Sequence, residues 1–198
     1  MRKYLVIGLI LIVGCASQKD YIIPPGFAER MNSLGAQVNK CISPSKYMPY
    51  YISPAKEPNA WVDGEKIVFT EGVFIFDDNT LKFIMAHEIA HEKLGHIAKV
   101  NTVSYLTTAG MMVLNFIIPG SGLLNYAVHP AVVNNFNKPQ ELEADRLASE
   151  ACECMGISKE RQIEILNGMK ARMQEGGSFW AAHPSWEDRI ANIKTLPH

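Results

Sequence analysis

Two histidines stand four residues apart in His87-Glu88-Ile89-Ala90-His91, with a glutamate directly after the first. On a helix of 3.6 residues per turn, positions four apart share a face, so both imidazoles can reach one metal ion with Glu88 beside it. Neutral imidazole nitrogen suits Zn²⁺, and a catalytic zinc takes three protein ligands while leaving its fourth position to water. Coordination lowers the pKa of that water to about 7, and a carboxylate such as Glu88 then takes its proton as it attacks a carbonyl. These residue types at this spacing therefore point to a hydrolytic zinc site, one ion per chain. With only six histidines in 198 residues, a chance match is rare.

The third ligand must come from elsewhere. Asn137-Lys138-Pro139 is a strong helix start, with Pro139 suited to the first turn, and it leads into Glu141-Leu142-Glu143-Ala144-Asp145-Arg146. Glu141 and Asp145 share a face, whereas Glu143 points elsewhere. Glu141 would complete a His₂Glu set, and Asp145 on the next turn can orient a histidine ligand from behind. The competing explanation is an acidic helix start favoured by the helix dipole; downstream of paired histidines the metal reading outweighs it. On a continuous helix, His96 points away from the metal face and reads as a surface histidine. The residues after His91 lack the glycine and third histidine of the metzincin arrangement.

Several elements must position these groups. Leu81, Ile84, Met85, Ile89 and Leu94 recur at helical spacing, after the capping residues Asp77-Asp78-Asn79-Thr80, and predict a buried helix running to about Lys99. Phe27, Met31, Leu34, Val38 and Cys41 predict an amphipathic packing helix ended by Pro44. Tyr50-Tyr51-Ile52 reads as a short strand, and Asn59 to Val62 with Lys66 to Thr70 as a hairpin around Asp63-Gly64. The strand Ile67-Val68-Phe69, just ahead of the histidine helix, has two readings. It is either a sheet edge that holds an extended peptide substrate or a purely structural strand. Ile163, Leu166, Met169 and Met173 mark another packing helix after Ser158, and Gly176-Gly177 a flexible joint before His183. Residues 103–133 are strongly apolar, broken at Pro119-Gly120, and neither half reaches the roughly 20 residues of a membrane span. A buried helical hairpin, a lid over the cleft and a membrane-dipping surface all fit them.

Composition is that of an ordinary globular domain, 47% apolar and 20% charged. Arg2 and Lys3 precede the apolar run Tyr4 to Val13, which makes residues 1–14 a secretory signal too short to anchor by spanning. Ile12-Val13-Gly14-Cys15 resembles the lipobox of bacterial lipoproteins, in which the cysteine becomes the lipidated first residue. That resemblance implies a lipid on Cys15, a tether over 15–26, and a catalytic domain over 27–198 held at the bacterial cell envelope. Ala16 after the cysteine implies the outer membrane, facing the periplasm, in a host with two membranes. Without Arg2 and Lys3, 17 basic residues face 20 acidic ones, which leaves no invitation to nucleic acid. Of the remaining cysteines, at most one of Cys152 and Cys154 should pair with Cys41; three buried thiols are the alternative.

Asn59-Ala60-Trp61, His87-Glu88-Ile89-Ala90-His91, Glu141 to Arg146, and His183-Pro184-Ser185 with Arg189-Ile190 together resemble the successive motifs of the HtpX, Oma-type and CaaX prenyl protease family of zinc metallopeptidases. The likeness covers roughly residues 27 to 195 and is closest to small secreted members that act on misfolded or misassembled envelope proteins. It implies a gluzincin-like minimal domain, Zn²⁺ on His87, His91 and Glu141, Glu88 as base and Asp145 in support. It also places His183 and Arg189 near the metal, where either stabilises an oxyanion or His183 fills the open zinc position at rest. Read without the family, Ser185 and Asp188 show only a capping box.

The expectation is thus an α+β domain, mostly helical with a small sheet, acting as a membrane-anchored zinc endopeptidase on protein or peptide substrates. The alternative is a chaperone-like or scaffolding lipoprotein whose zinc site is structural or blocked. Retention of Glu88 argues against it, since a structural site needs no base.

Overall fold

The computed structural model describes residues 26–62, 64–98, 136–174, 183 and 186–197. Cys15 and its flanks, the apolar 103–133 run, the Gly176-Gly177 joint and Pro184-Ser185 lie outside the described residues. Among the described residues, five α-helices, α1 (Phe27–Cys41), α2 (Asp78–Lys93), α3 (Lys138–Cys154), α4 (Lys159–Gln174) and α5 (Trp186–Thr195), accompany a small sheet of β1 (Tyr50–Ser53), β2 (Ala60–Val62) and β3 (Ile67–Thr70). The domain is α+β and mostly helical. No helix among the described residues is long and apolar enough to cross a membrane.

The element at the centre is α2. Asp77 caps it by accepting the Thr80 N–H at 2.8 Å, and from Phe83 to His91 every residue is buried. A helix covered on all sides must be gripped by several neighbours; α3 packs on it most extensively, with α1, β2 and α4 around the rest. Ala86 and Ala90 on α2, and Ala144, Ala148 and Ala151 on α3, are all buried. Such small side chains let two helix backbones approach closely, so acidic groups on α3 reach the histidines of α2.

The helix stops earlier than its apolar pattern predicts. Lys93 is its last residue, and Gly95 takes φ +69°, the left-handed conformation that closes helices and that glycine adopts without a Cβ penalty. The chain reverses there before a further helical turn at 96–98.

The sheet order is β1-β3-β2, with β1 parallel and β2 antiparallel to β3. All four residues of β3 are buried, as befits a strand paired on both edges. That corrects the edge-strand reading of Ile67, Val68 and Phe69: with both ladders occupied, β3 has no free backbone groups to offer a peptide. The outer positions belong to β1 and β2, and of these β2 packs on α2. A disulfide joins Cys41 at the end of α1 to Cys154 at the end of α3, while Cys152 is a buried free thiol.

Candidate metal centre

His87 and His91 project from one face of α2, as their spacing requires, and both are fully buried with Glu88 between them. Glu141 comes from the first turn of α3, whose start is fixed by a reciprocal capping box. The Asn137 side chain accepts from the Gln140 N–H at 3.1 Å, and Gln140 returns the bond to the Asn137 N–H at 2.9 Å. His183 precedes α5, which carries Arg189.

These side chains converge. His87 Nε2 and His91 Nε2 lie 3.0 Å apart. Glu141 Oε2 is 3.4 Å from His87 Nε2, and Oε1 is 3.4 Å from His91 Nε2. His183 Nδ1 lies 2.9 Å from Glu141 Oε1 and 3.3 Å from His87 Nε2. A tetrahedral metal at the usual ligand distances separates its ligand atoms by about 3.4 Å, and the separations here, 2.9 to 3.4 Å with one or other Glu141 oxygen, are of that size. The donor set of three imidazoles and a carboxylate is one that a divalent transition metal takes readily.

The outer nitrogens explain why the inner ones are available. His87 Nδ1 lies 3.0 Å from Asp145 Oδ1, and His91 Nδ1 lies 3.0 Å from His96 Nδ1. A ring that donates from Nδ1 keeps a bare lone pair on Nε2. Facing each other at 3.0 Å, the two Nε2 atoms must share a cation between them, a metal ion or, without one, the extra proton that His87 holds. Glu141 Oε2 is likewise buried without a hydrogen bond.

Electrostatics divides the two histidines. Burial and the Arg189 charge push the His87 ring down, but Asp145 and Glu141 outweigh them and hold it at about 9 in the metal-free chain. His91, buried beside His87, is pushed well below the usual histidine range. Burial raises Glu88 to about 8, opposed by His87 and aided by Glu141. Glu88 makes no close side-chain hydrogen bond, the Val62 backbone N–H being the group that favours its ionised form, and His183 Nε2 lies 3.7 Å from Oε1. Burial opposes ionisation of Glu141, yet His183, His87 and His91 together hold it far below the carboxylate range. Burial and the neighbouring His87 and Arg189 lower His183 to about 4 against the pull of Glu141.

The structure thus brings together His87, Glu88, His91, Glu141, Asp145, His183 and Arg189. It alters the expected part of Arg189. Nε and Nη2 each bond the Asp145 carboxylate at 2.7 Å, and Nη1 lies 3.4 Å from Glu141 Oε2. With no solvent exposure, this guanidinium braces the ligands from behind instead of facing a substrate oxyanion. His96 is also corrected. It is fully buried, with Nδ1 on His91 and Nε2 3.1 Å from Glu143 Oε2, because the reversal at Gly95 folds it back where a continuous helix would have carried it away. Gly95 was the signal in the sequence. Phe136 was not foreseen either; its ring stacks on His91 at 3.8 Å.

A family model described as peptidase family M48 matches residues 29–196. The chain belongs to that family and is a metallopeptidase, with a His87, His91, Glu141 and His183 group able to hold the metal. No curated protein matches the chain.

Proposed function

We propose that the chain is a zinc-dependent endopeptidase, lipid-anchored through Cys15 at the bacterial cell envelope, that cleaves misfolded or misassembled envelope proteins. The observation that carries it is the convergence of His87, His91 and Glu141 within tetrahedral reach of one another, with a buried Glu88 alongside. When bound by those three residues, Zn²⁺ supplies Lewis acidity toward a water and a peptide carbonyl. Glu88 handles the proton: it takes it from the attacking water and returns it to the leaving amine. Its burial leaves it able to hold a proton near neutral pH. Asp145 holds the His87 ring in register, and Arg189 holds Asp145. An extended substrate strand has β2 as its neighbour, since β2 is the outer strand packed on α2. Main-chain pairing of that kind makes few demands on sequence and suits unfolded segments.

The anchoring part of the reading rests on Arg2-Lys3, the apolar run after them and Gly14-Cys15, and the Cys41–Cys154 disulfide agrees with an oxidising compartment. Glu88→Gln is expected to retain stoichiometric zinc and to lose casein cleavage by about 10²–10⁴-fold. Turnover like that of the natural chain would end the proposal.

One observation favours the second reading, a chaperone-like or scaffolding lipoprotein. His183 Nδ1 stands at the fourth corner of the ligand set, where water is needed. If this is a resting block, His183→Ala raises casein cleavage. A zinc-loaded chain that cleaves nothing with or without His183 supports the scaffold instead.

A further inference from the structure

His91 differs from most metal-binding histidines in what lies behind it. Its Nδ1 meets not a carboxylate or a carbonyl but a second imidazole, His96 Nδ1 at 3.0 Å, whose own Nε2 lies 3.1 Å from Glu143 Oε2. His96 is fully buried, while the Glu143 side chain is 53% exposed. The geometry admits one proton arrangement that leaves His91 Nε2 bare for a metal. His91 must then carry its proton on Nδ1, so His96 Nδ1 must accept. A neutral His96 consequently carries its proton on Nε2 and donates it to Glu143. If His96 took the opposite tautomer, two N–H groups would face each other across 3.0 Å.

We propose that His96 and Glu143 are positioning residues for the metal: Glu143 selects the tautomer of His96, and His96 in turn locks the tautomer and ring orientation of His91. The inference rests on the metal-site reading above and deepens it. Outer partners of this kind are worth about 10–100-fold in metal affinity when removed. The arrangement brings the influence of a solvated carboxylate to a buried ligand without burying a charge, because the group that crosses the interior is a neutral ring. Gly95 is part of the device, since its left-handed φ of +69° turns His96 back toward His91.

The test reads the zinc dissociation constant of the full chain by chelator competition, with the melting temperature of the metal-free chain as the control for folding. His96→Leu is expected to weaken zinc about 10–100-fold. His96→Asn should retain most of the affinity, because the asparagine Oδ1 sits where Nδ1 sits and accepts the His91 proton. Glu143→Ala, at a half-exposed position that leaves the fold intact, should weaken zinc toward the lower end of that range. Glu143→Gln should restore it, as the amide oxygen accepts from His96. In the His96→Asn background, Glu143→Ala should change nothing further. Wild-type affinity in both His96→Leu and Glu143→Ala overturns the relay while leaving the metal site standing. Equal loss in Glu143→Gln and Glu143→Ala also overturns it, as that would show a bare charge effect. Failure of the natural chain to bind zinc at all overturns the metal reading and the relay with it.

Discussion

The two histidines of α2 share a helix face and a metal, yet they are held from behind in opposite ways. His87 gives its Nδ1–H directly to Asp145, a buried carboxylate gripped twice by the buried Arg189. His91 gives its Nδ1–H to a neutral ring that reaches out to a half-exposed Glu143. On the closed side a carboxylate must bring its counter-charge with it, since an uncompensated charge in the interior costs several kcal/mol. On the side where α2 ends, solvent is one imidazole away, and the charge can stay outside. The difference shows that depth decides which hydrogen-bond partner a metal ligand can have.

The sharpest way to break the comparison is at the closed side. Asp145→Ala removes the carboxylate that the buried Arg189 bonds twice, and should cost about 3–5 kcal/mol of folding free energy by urea denaturation as well as zinc binding. A loss below about 1 kcal/mol would mean the clamp is not the stronger arm. The covalent tie between α1 and α3 comes next. Replacing Cys41 and Cys154 by serine opens a loop with a sequence separation of 113 residues and should cost about 2–5 kcal/mol. Because α3 carries Glu141, Glu143 and Asp145 alike, both arms should weaken together; selective loss of one would show that the arms do not share a platform.

A pH series sharpens the contrast further. In the metal-free chain, burial would raise Asp145, but Arg189 and His87 hold it at about 2, against an ordinary 3.8. A depressed folded value means the contribution is complete above about pH 4 and disappears as pH falls through about 2. The size is on the order of 2–3 kcal/mol, read as the difference between the natural chain and Asp145→Asn across that window. Parallel curves would exclude it. The smallest effect belongs to the open side: Glu143→Ala should change folding stability by no more than about 0.5 kcal/mol, because its carboxylate is already half in water. A larger loss in thermal or urea unfolding would show that the relay carries stability and not only orientation.

Much of this was legible along the chain. The cap at Asp77, the helix through His87 and His91, the helix start at Asn137-Lys138-Pro139 and the hairpin ending at Thr70 are local, and local spacing sets them. The choice of Glu141 over Glu143 as the acidic group at the metal also followed from helical phase. His96 was misplaced because the phase rule was carried across Gly95, where the helix had ended. Ile67 to Phe69 left two readings open, a substrate-holding edge and a purely structural strand, because β-propensity says that a strand exists, not which of its edges a neighbour will cover; the sheet order decides for the structural one. Arg189 was given a catalytic part because its segment was recognised without knowing which way a fully buried guanidinium would turn.

The sequence by itself determined the chemical inventory and every relation within one helix: two imidazoles on one face, a carboxylate beside them, an acid and its companion four residues apart on another helix. A helix's rise and turn are fixed by its backbone hydrogen bonds, so such relations need no neighbours. Tertiary structure alone decided that Asp145 belongs to Arg189, that His96 belongs to His91 and Glu143, and that His183 reaches the fourth corner. Those pairings join residues 40 or more positions apart, or cross a break in the helix. There the close packing of α3 against both α2 and α5 sets distance and direction, and spacing along the chain does not.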